Sequence, residues 1–242
     1  MPRVRANGID IEYESFGPES GTETVLLIMG LGGQLTMWPA ELCEELVRRG
    51  YRVIRYDNRD VGPSTRFEHA GMPGALMAGR PAAAPYSLDD MARDAVGLLD
   101  ALGIARAHIA GASMGGMIAQ LVAADHPERV LSLTSIMSTS GNPMLPPARP
   151  EAMEVLMAPA ASAGDWEAIV ERGIKAWNTI GSPLYRTDER TLREKILRDA
   201  RRAFYPVGIA RQMAAVVANG DRREKLRRIK APAVVLHGTD DP

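Results

Sequence analysis

The period of hydrophobic and polar positions changes several times along the chain, and each change predicts an element. Val4 and Arg5 precede Asn7-Gly8, after which Ile9-Asp10-Ile11-Glu12-Tyr13-Glu14 alternates strictly, the pattern of a hairpin with one solvated face. Thr24-Val25-Leu26-Leu27-Ile28-Met29 is instead a continuous apolar run, as expected of a central strand covered on both sides. Trp38-Pro39 predicts the start of a helix with Leu42, Leu46 and Val47 on its inner face, and Tyr51 to Tyr56 reads as the next strand. Leu88, Met91, Ala95, Leu98, Leu99 and Leu102 mark an amphipathic helix, with Ser87 as its N-cap and Gly103 as its stop. His108 to Ala110 and Val130 to Ile136 read as strands on either side of one further helix. This alternation of strand and helix predicts an α/β fold, a mostly parallel sheet with helices on both faces.

The texture changes after Met137. Gly141-Asn142-Pro143-Met144-Leu145-Pro146-Pro147 reads as a linker, and residues from about Glu151 to Ala203 carry helical patches without strand signal. The sheet pattern returns at Ala233-Val234-Val235-Leu236-His237. Core sheet over residues 1–140, an inserted helical lid over 141–205 and a second, incomplete part of the core over 206–242 are therefore expected. Met144, Met153 and Met157 are expected either to pack within the lid or to line an adaptable apolar pocket.

Composition narrows the class. At 242 residues and 45% hydrophobic content the chain has enough apolar material for one real core, and a formal net charge of −1 gives no global field toward nucleic acid or anionic membrane. The single cysteine, Cys43, has no partner for an internal disulfide and falls in the first predicted helix, where it reads as core. The N-terminus lacks an apolar signal region, and no stretch approaches the roughly 18 apolar residues of a membrane span. A cytoplasmic location without membrane association follows as an expectation. Arg222-Arg223-Glu224-Lys225-Leu226-Arg227-Arg228 mixes both charges and reads as a solvated helix face, not a nucleic-acid patch.

Four pieces of sequence carry candidate chemistry. Gly111-Ala112-Ser113-Met114-Gly115 lies between a predicted strand and a predicted helix, where a sharp reversal leaves the serine hydroxyl at the tip. Its bland alternative is a serine that caps the helix. Met29-Gly30-Leu31-Gly32-Gly33 follows the buried strand and has backbone amides available for a developing oxyanion, with the amide of Met114 as the second donor. Asp57-Asn58-Arg59-Asp60-Val61-Gly62-Pro63-Ser64 stands at another strand end and is expected to cross-link its loop without doing chemistry. His237-Gly238-Thr239-Asp240-Asp241-Pro242 puts carboxylates after the last predicted strand, in the chain order serine then acid. Gly30-Leu31-Gly32-Gly33 lacks the G-x-G-x-x-G spacing of a dinucleotide site, and no cofactor or metal is implied.

On these motifs the chain resembles the α/β-hydrolase superfamily, in its cofactor-free serine esterase branch of aclacinomycin methylesterase-like proteins. The elbow matches at Gly111, Ser113 and Gly115, the oxyanion loop at Met29-Gly30-Leu31 with methionine in place of the usual histidine, and the D-x-R-x-x-G-x-S loop at Asp57, Arg59, Gly62 and Ser64. The G-x-x-D acid motif matches at Gly238 and Asp241, so the resemblance gives the acid role to Asp241 and the oxyanion amides to Leu31 and Met114. It implies hydrolysis of a small-molecule carboxylic ester through an acyl-enzyme, without cofactor. The family's general base is a histidine after a further strand, so it is expected beyond residue 242, with the final strand and helix missing from a shortened chain. None of His69, His108, His126 and His237 stands where that base is expected. The same triad run with peroxide, as in a perhydrolase or cofactor-free haloperoxidase, and a non-catalytic ligand-binding protein are the alternatives.

Overall fold

The structure, a computed structural model, describes residues 1–73 and 84–242. Asn7 and Gly8 both take positive φ, 46° and 79°, the twist that joins β1 (Arg3–Ala6) to β2 (Ile9–Phe16) as a tight antiparallel hairpin. The fully buried β3 (Thr24–Ile28) lies between β4 (Arg52–Tyr56) and β5 (Ala107–Ala112), parallel to both. β6 (Val130–Ile136) and β7 (Ala233–Leu236) extend the parallel part, giving the order β1-β2-β4-β3-β5-β6-β7. A nearly continuous apolar run forms β3 because both of its faces are buried and neither is left for solvent.

Helix α1 (Ala40–Arg48) follows Pro39, which serves as its N-cap. Its inner face is Cys43, Leu46 and Val47; Leu42, expected inside, is 38% exposed. Burial pushes the Cys43 thiol pKa up to about 11, the state of a packing residue. Helix α2 (Leu88–Ala101) has a capping box in which Ser87 and Asp90 exchange hydrogen bonds. α2 and α3 (Met114–Asp125) pack together under one face of the sheet, with Leu26, Ile28, Met91, Leu98, Ile118 and Leu121 in the main core.

Between β6 and β7 the chain is helical: α4 (Pro150–Met157), α5 (Trp166–Ile180), α6 (Glu189–Arg202), α7 (Pro206–Asn219) and the single turn α8 (Arg223–Leu226). Val170, Ile174 and Leu192 form a small core of their own joining α5 to α6. Met144, Met153 and Met157 do neither thing expected of them; they are 83%, 43% and 47% exposed. Arg222 also departs from a solvated helix face. It is buried, with its guanidinium on Gln120, Asn219 and the carbonyl of Thr139. At the sheet edge, Val234, Val235 and Leu236 of β7 are each about half exposed or more, at 52%, 72% and 49%. No helix among the described residues is long and apolar enough to cross a membrane.

Candidate active site

Ser113 occupies the reversal between β5 and α3 at φ 56° and ψ −121°, a backbone region that L-residues rarely enter. Its own backbone is held from several sides. The Ser113 amide donates to the Ile136 carbonyl at 2.9 Å, and its carbonyl accepts from Gly116 N at 2.9 Å and Ser138 Oγ at 2.8 Å. The side chain makes no capping hydrogen bond to α3, and the residue is exposed. The capping alternative is thus absent, and the hydroxyl is left at the surface above the helix N-terminus.

Gly111 and Gly115 explain why the reversal is so tight. A Cβ on Gly111 would lie 2.0 Å from the Gly115 carbonyl oxygen, and one on Gly115 would lie 2.1 Å from that of Ile28. Backbone atoms cannot yield as a flexible side chain can, so these positions hold glycine for space. The strain at residue 113 is testable. Ser113→Gly is expected to be more stable than Ser113→Ala by about 1 kcal/mol, because only glycine adopts that backbone at low cost and such strain is worth ~1–3 kcal/mol. Urea denaturation of both variants measures it, and equal midpoints would contradict it.

The Met29–Gly33 turn packs directly against the serine. A Cβ built on Gly30 would stand 3.0 Å from Ser113 Cβ and 3.5 Å from Ser113 Oγ. Distant side chains hold the turn: Gln212 Oε1 accepts from Gly32 N at 2.8 Å, Asn58 Nδ2 donates to the Met29 carbonyl at 2.9 Å, and Asp57 Oδ1 accepts from Leu35 N at 2.7 Å. Gln212 also donates to the Arg59 carbonyl at 2.8 Å, tying α7 to two loops at once. Neither Gln212 nor Asn58 was singled out for this positioning from sequence, since nothing local marks a glutamine that braces a turn 180 residues away. Met114 opens α3, so its amide is among those without an intrahelical acceptor.

The expected cross-linking by the Asp57–Ser64 loop is present. Burial pushes the Asp57 carboxyl above its ordinary value, opposed by Arg202, which bonds it at 2.7 Å. Burial likewise raises Asp94, opposed by the Arg59 guanidinium at 2.6 Å. For Asp60 burial also acts upward, but the balance is a lowered pKa, because Arg211, the Phe67 amide and Tyr86 all donate to it. Asp60 and Arg211 are almost wholly buried, at 0% and 1% side-chain exposure.

Asp241 lies in the loop after β7, with its carboxylate 3.0 Å from His237 Nε2 and both side chains partly exposed. The pairs Ala112–Ile136 and Ile136–Leu236 bring the ends of β5 and β7 to one sheet edge, two strand spacings or roughly 10 Å apart. The other histidines stand elsewhere. His126 caps the far end of α3, and His69 lies in a 3₁₀ turn beside Phe67. His108 is near the start of β5, half-buried and bonded to Ser132 and Glu23.

A cavity of about 720 Å³ opens beside the Leu31-Gly32 turn. Leu31, Gly32 and Ile209 wall it on the sheet side, and Val155, Ile169 and Leu192 on the side of the helices. Ser113 is not itself in the wall; the turn at Leu31 connects the two. The volume lies within the ordinary range for small-molecule sites. Among the described residues, no group of three or more His, Cys, Asp or Glu side chains is placed to hold a metal ion.

A family model described as alpha/beta hydrolase fold matches residues 23–242. The chain belongs to the α/β-hydrolase fold family. Relatives place this hydrolase in the esterase branch. It is 31% identical to a rhodomycin D methylesterase of Streptomyces sp. (strain C5), over 90% of this chain and 75% of that one. A rhodomycin D methylesterase of Streptomyces peucetius is 30% identical, over 100% of this chain and 83% of that one. Among solved structures, a thermophilic esterase from Thermogutta terrifontis superposes with TM-score 0.67 at 26% identity, over 98% of this chain and 80% of that one.

Proposed function

We propose that this carboxylic ester hydrolase works through Ser113 as nucleophile, the Leu31 and Met114 amides as oxyanion donors and Asp241 as the acid that orients the base. The observation that carries the reading is the Ser113 elbow, a strained, uncapped and exposed hydroxyl against the Gly30 turn. Attack of Ser113 Oγ on the ester carbonyl places negative charge on the carbonyl oxygen, where two backbone amides stabilise it without reorganising. Collapse expels the alcohol and leaves an acyl-serine, and water attacks the acyl-serine to release the acid and restore the hydroxyl. The substrate is a small-molecule ester seated in the cavity beneath helices α4 to α6, which act as a lid spanning residues 141–205, and the protein works in the cytoplasm without a cofactor.

The hydroxyl needs a base to take its proton. In the favoured reading that base is a histidine outside residues 1–242, as the family resemblance implies, and Asp241 orients it. The 3.0 Å contact between His237 Nε2 and the Asp241 carboxylate favours a second reading, in which His237 is the base itself. His108 and His126 fit neither, because each lies a strand or helix length from Ser113.

A fluorophosphonate probe tests the proposal. Labelling mapped to Ser113 by peptide mass spectrometry is expected, and binding of esters with no labelling would instead support a receptor. His237→Asn separates the two readings of the base. Retention of kcat within about threefold is expected, whereas loss of a true general base costs on the order of 10²–10⁴. Peracid formation from acetate and peroxide would mark a perhydrolase.

A further inference from the structure

The turn beside Ser113 carries the amides of Leu31, Gly32 and Gly33, and a developing oxyanion can use only one that is free. The Gly33 amide is engaged within the turn, donating to the Gly30 carbonyl at 3.1 Å. The Gly32 amide is engaged by Gln212 Oε1 at 2.8 Å. The Leu31 amide is left, with no acceptor for it among the described residues. The bond at Gly33 is local to the turn, whereas the one at Gly32 is made by a side chain from α7.

Gly32 has a φ of 65°. Glycine takes either sign of φ at little cost, so two orientations are open to the peptide that joins Leu31 to Gly32. The bond to Gln212 selects the one with its N–H toward α7. Gln212 is itself fixed: it is 0% exposed, and its Nε2 donates to the Arg59 carbonyl at 2.8 Å. Its neighbours seat the helix. A Cβ on Gly208 would stand 2.2 Å from the Asp60 carbonyl oxygen, Arg211 bonds the Asp60 carboxylate, and a Cβ on Gly32 would stand 2.8 Å from Ile209 Cγ1. We infer that Gln212 is a positioning residue for catalysis. By holding the Gly32 amide it fixes the Leu31–Gly32 peptide and keeps the adjoining Leu31 amide in place as the oxyanion donor. The inference rests on the reading of Ser113 as nucleophile and of the Leu31 amide as donor. A buried amide side chain suits the position, because its oxygen meets an N–H while its nitrogen meets a carbonyl.

The test is kinetic, on a p-nitrophenyl ester, with circular dichroism and urea midpoints reporting the folded fraction. Gln212→Met removes the acceptor and is expected to lower kcat about tenfold to a hundredfold, less than the 10²–10³ for outright loss of an oxyanion donor. KM is expected to stay within about threefold, because the interaction is made only in the transition state. Inhibition by phenylboronic acid, whose adduct with a serine hydroxyl is tetrahedral and anionic, is expected to weaken by the same factor as kcat. Gln212→Glu keeps an acceptor for the Gly32 amide in either protonation state and is expected to hold kcat within about fivefold of wild type. Gln212→Asn, shorter by one methylene, is expected to fall with Gln212→Met, so the question is answered even where methionine unfolds α7. Wild-type kcat in folded Gln212→Met or Gln212→Asn, with Ser113→Ala inactive, would overturn the inference and leave the esterase reading intact. Equal losses in Gln212→Glu and Gln212→Asn would also overturn it, reducing Gln212 to a brace of α7. Full activity in Ser113→Ala would instead sink the nucleophile reading, and this inference with it.

Discussion

Replacing Ser113 with alanine is expected to lower kcat for ester hydrolysis by about 10⁴-fold or more and to abolish fluorophosphonate labelling, with the fold unchanged. Removal of a serine nucleophile in unrelated serine hydrolases costs on the order of 10⁶, with a residual of about 10³–10⁴ over water from oxyanion stabilisation and binding. The loss should be confined to chemistry. The residue's backbone hydrogen bonds to Ile136, Gly116 and Ser138 all use main-chain atoms of Ser113, and alanine keeps them. Its side chain caps nothing, so no structural bond goes with the hydroxyl. Steady-state rates on a p-nitrophenyl ester, with circular dichroism as the control, give the answer. A variant that retains more than a tenth of wild-type kcat would remove Ser113 from the mechanism.

Breaking the buried pair between Asp60 and Arg211 is expected to cost more stability than most single changes in the protein, about 3–5 kcal/mol. Arg211 reaches from α7 to place two nitrogens on Asp60, each at 2.8 Å, and a third donor contact to the Gly71 carbonyl at 2.8 Å. Arg211→Met strands an ionised carboxylate in the interior, and Asp60→Asn strands a guanidinium. Asparagine is the proper replacement at residue 60, because its φ of 64° is one that Asn and Asp tolerate. The double variant should recover much of the loss, since desolvation of the pair is then removed along with its attraction. The sign of the pH dependence follows from the lowered pKa of Asp60. Its stabilising contribution is complete above the unfolded carboxylate value and is lost as pH falls through the lower folded value. The gap between wild type and Arg211→Met is therefore widest near neutral pH and narrows in acid as Asp60 takes a proton in the variant. Urea midpoints measured across pH report both effects, and a neutral-pH difference below 1 kcal/mol would contradict the first.

How much of this could be read from the chain depends on the range over which each residue acts. The elbow was legible because its causes are local: an apolar strand, glycines that permit close backbone approach, and a helix start within a few residues. The Asn7-Gly8 hairpin and the Ser87 cap were legible for the same reason, and each forms as expected. Leu42 was misplaced because a helical stripe defines a face only to within about one residue in angle, and the sheet chose Cys43 instead. The lid methionines were misjudged because nothing in their spacing says whether a neighbouring helix arrives to cover them. Arg222 looked like one more surface charge until α3 and the Thr139 carbonyl supplied acceptors from elsewhere in the chain.

Sequence by itself determined the α/β alternation, the position of the elbow and the family, since those follow from periodicity and from motifs a few residues long. Only the tertiary structure decided that Gln212 braces the Gly32 amide and that Arg211 neutralises Asp60. Those pairings depend on where a helix lands on the sheet, and that is set by packing of the whole core, with no local signal in the residues that meet.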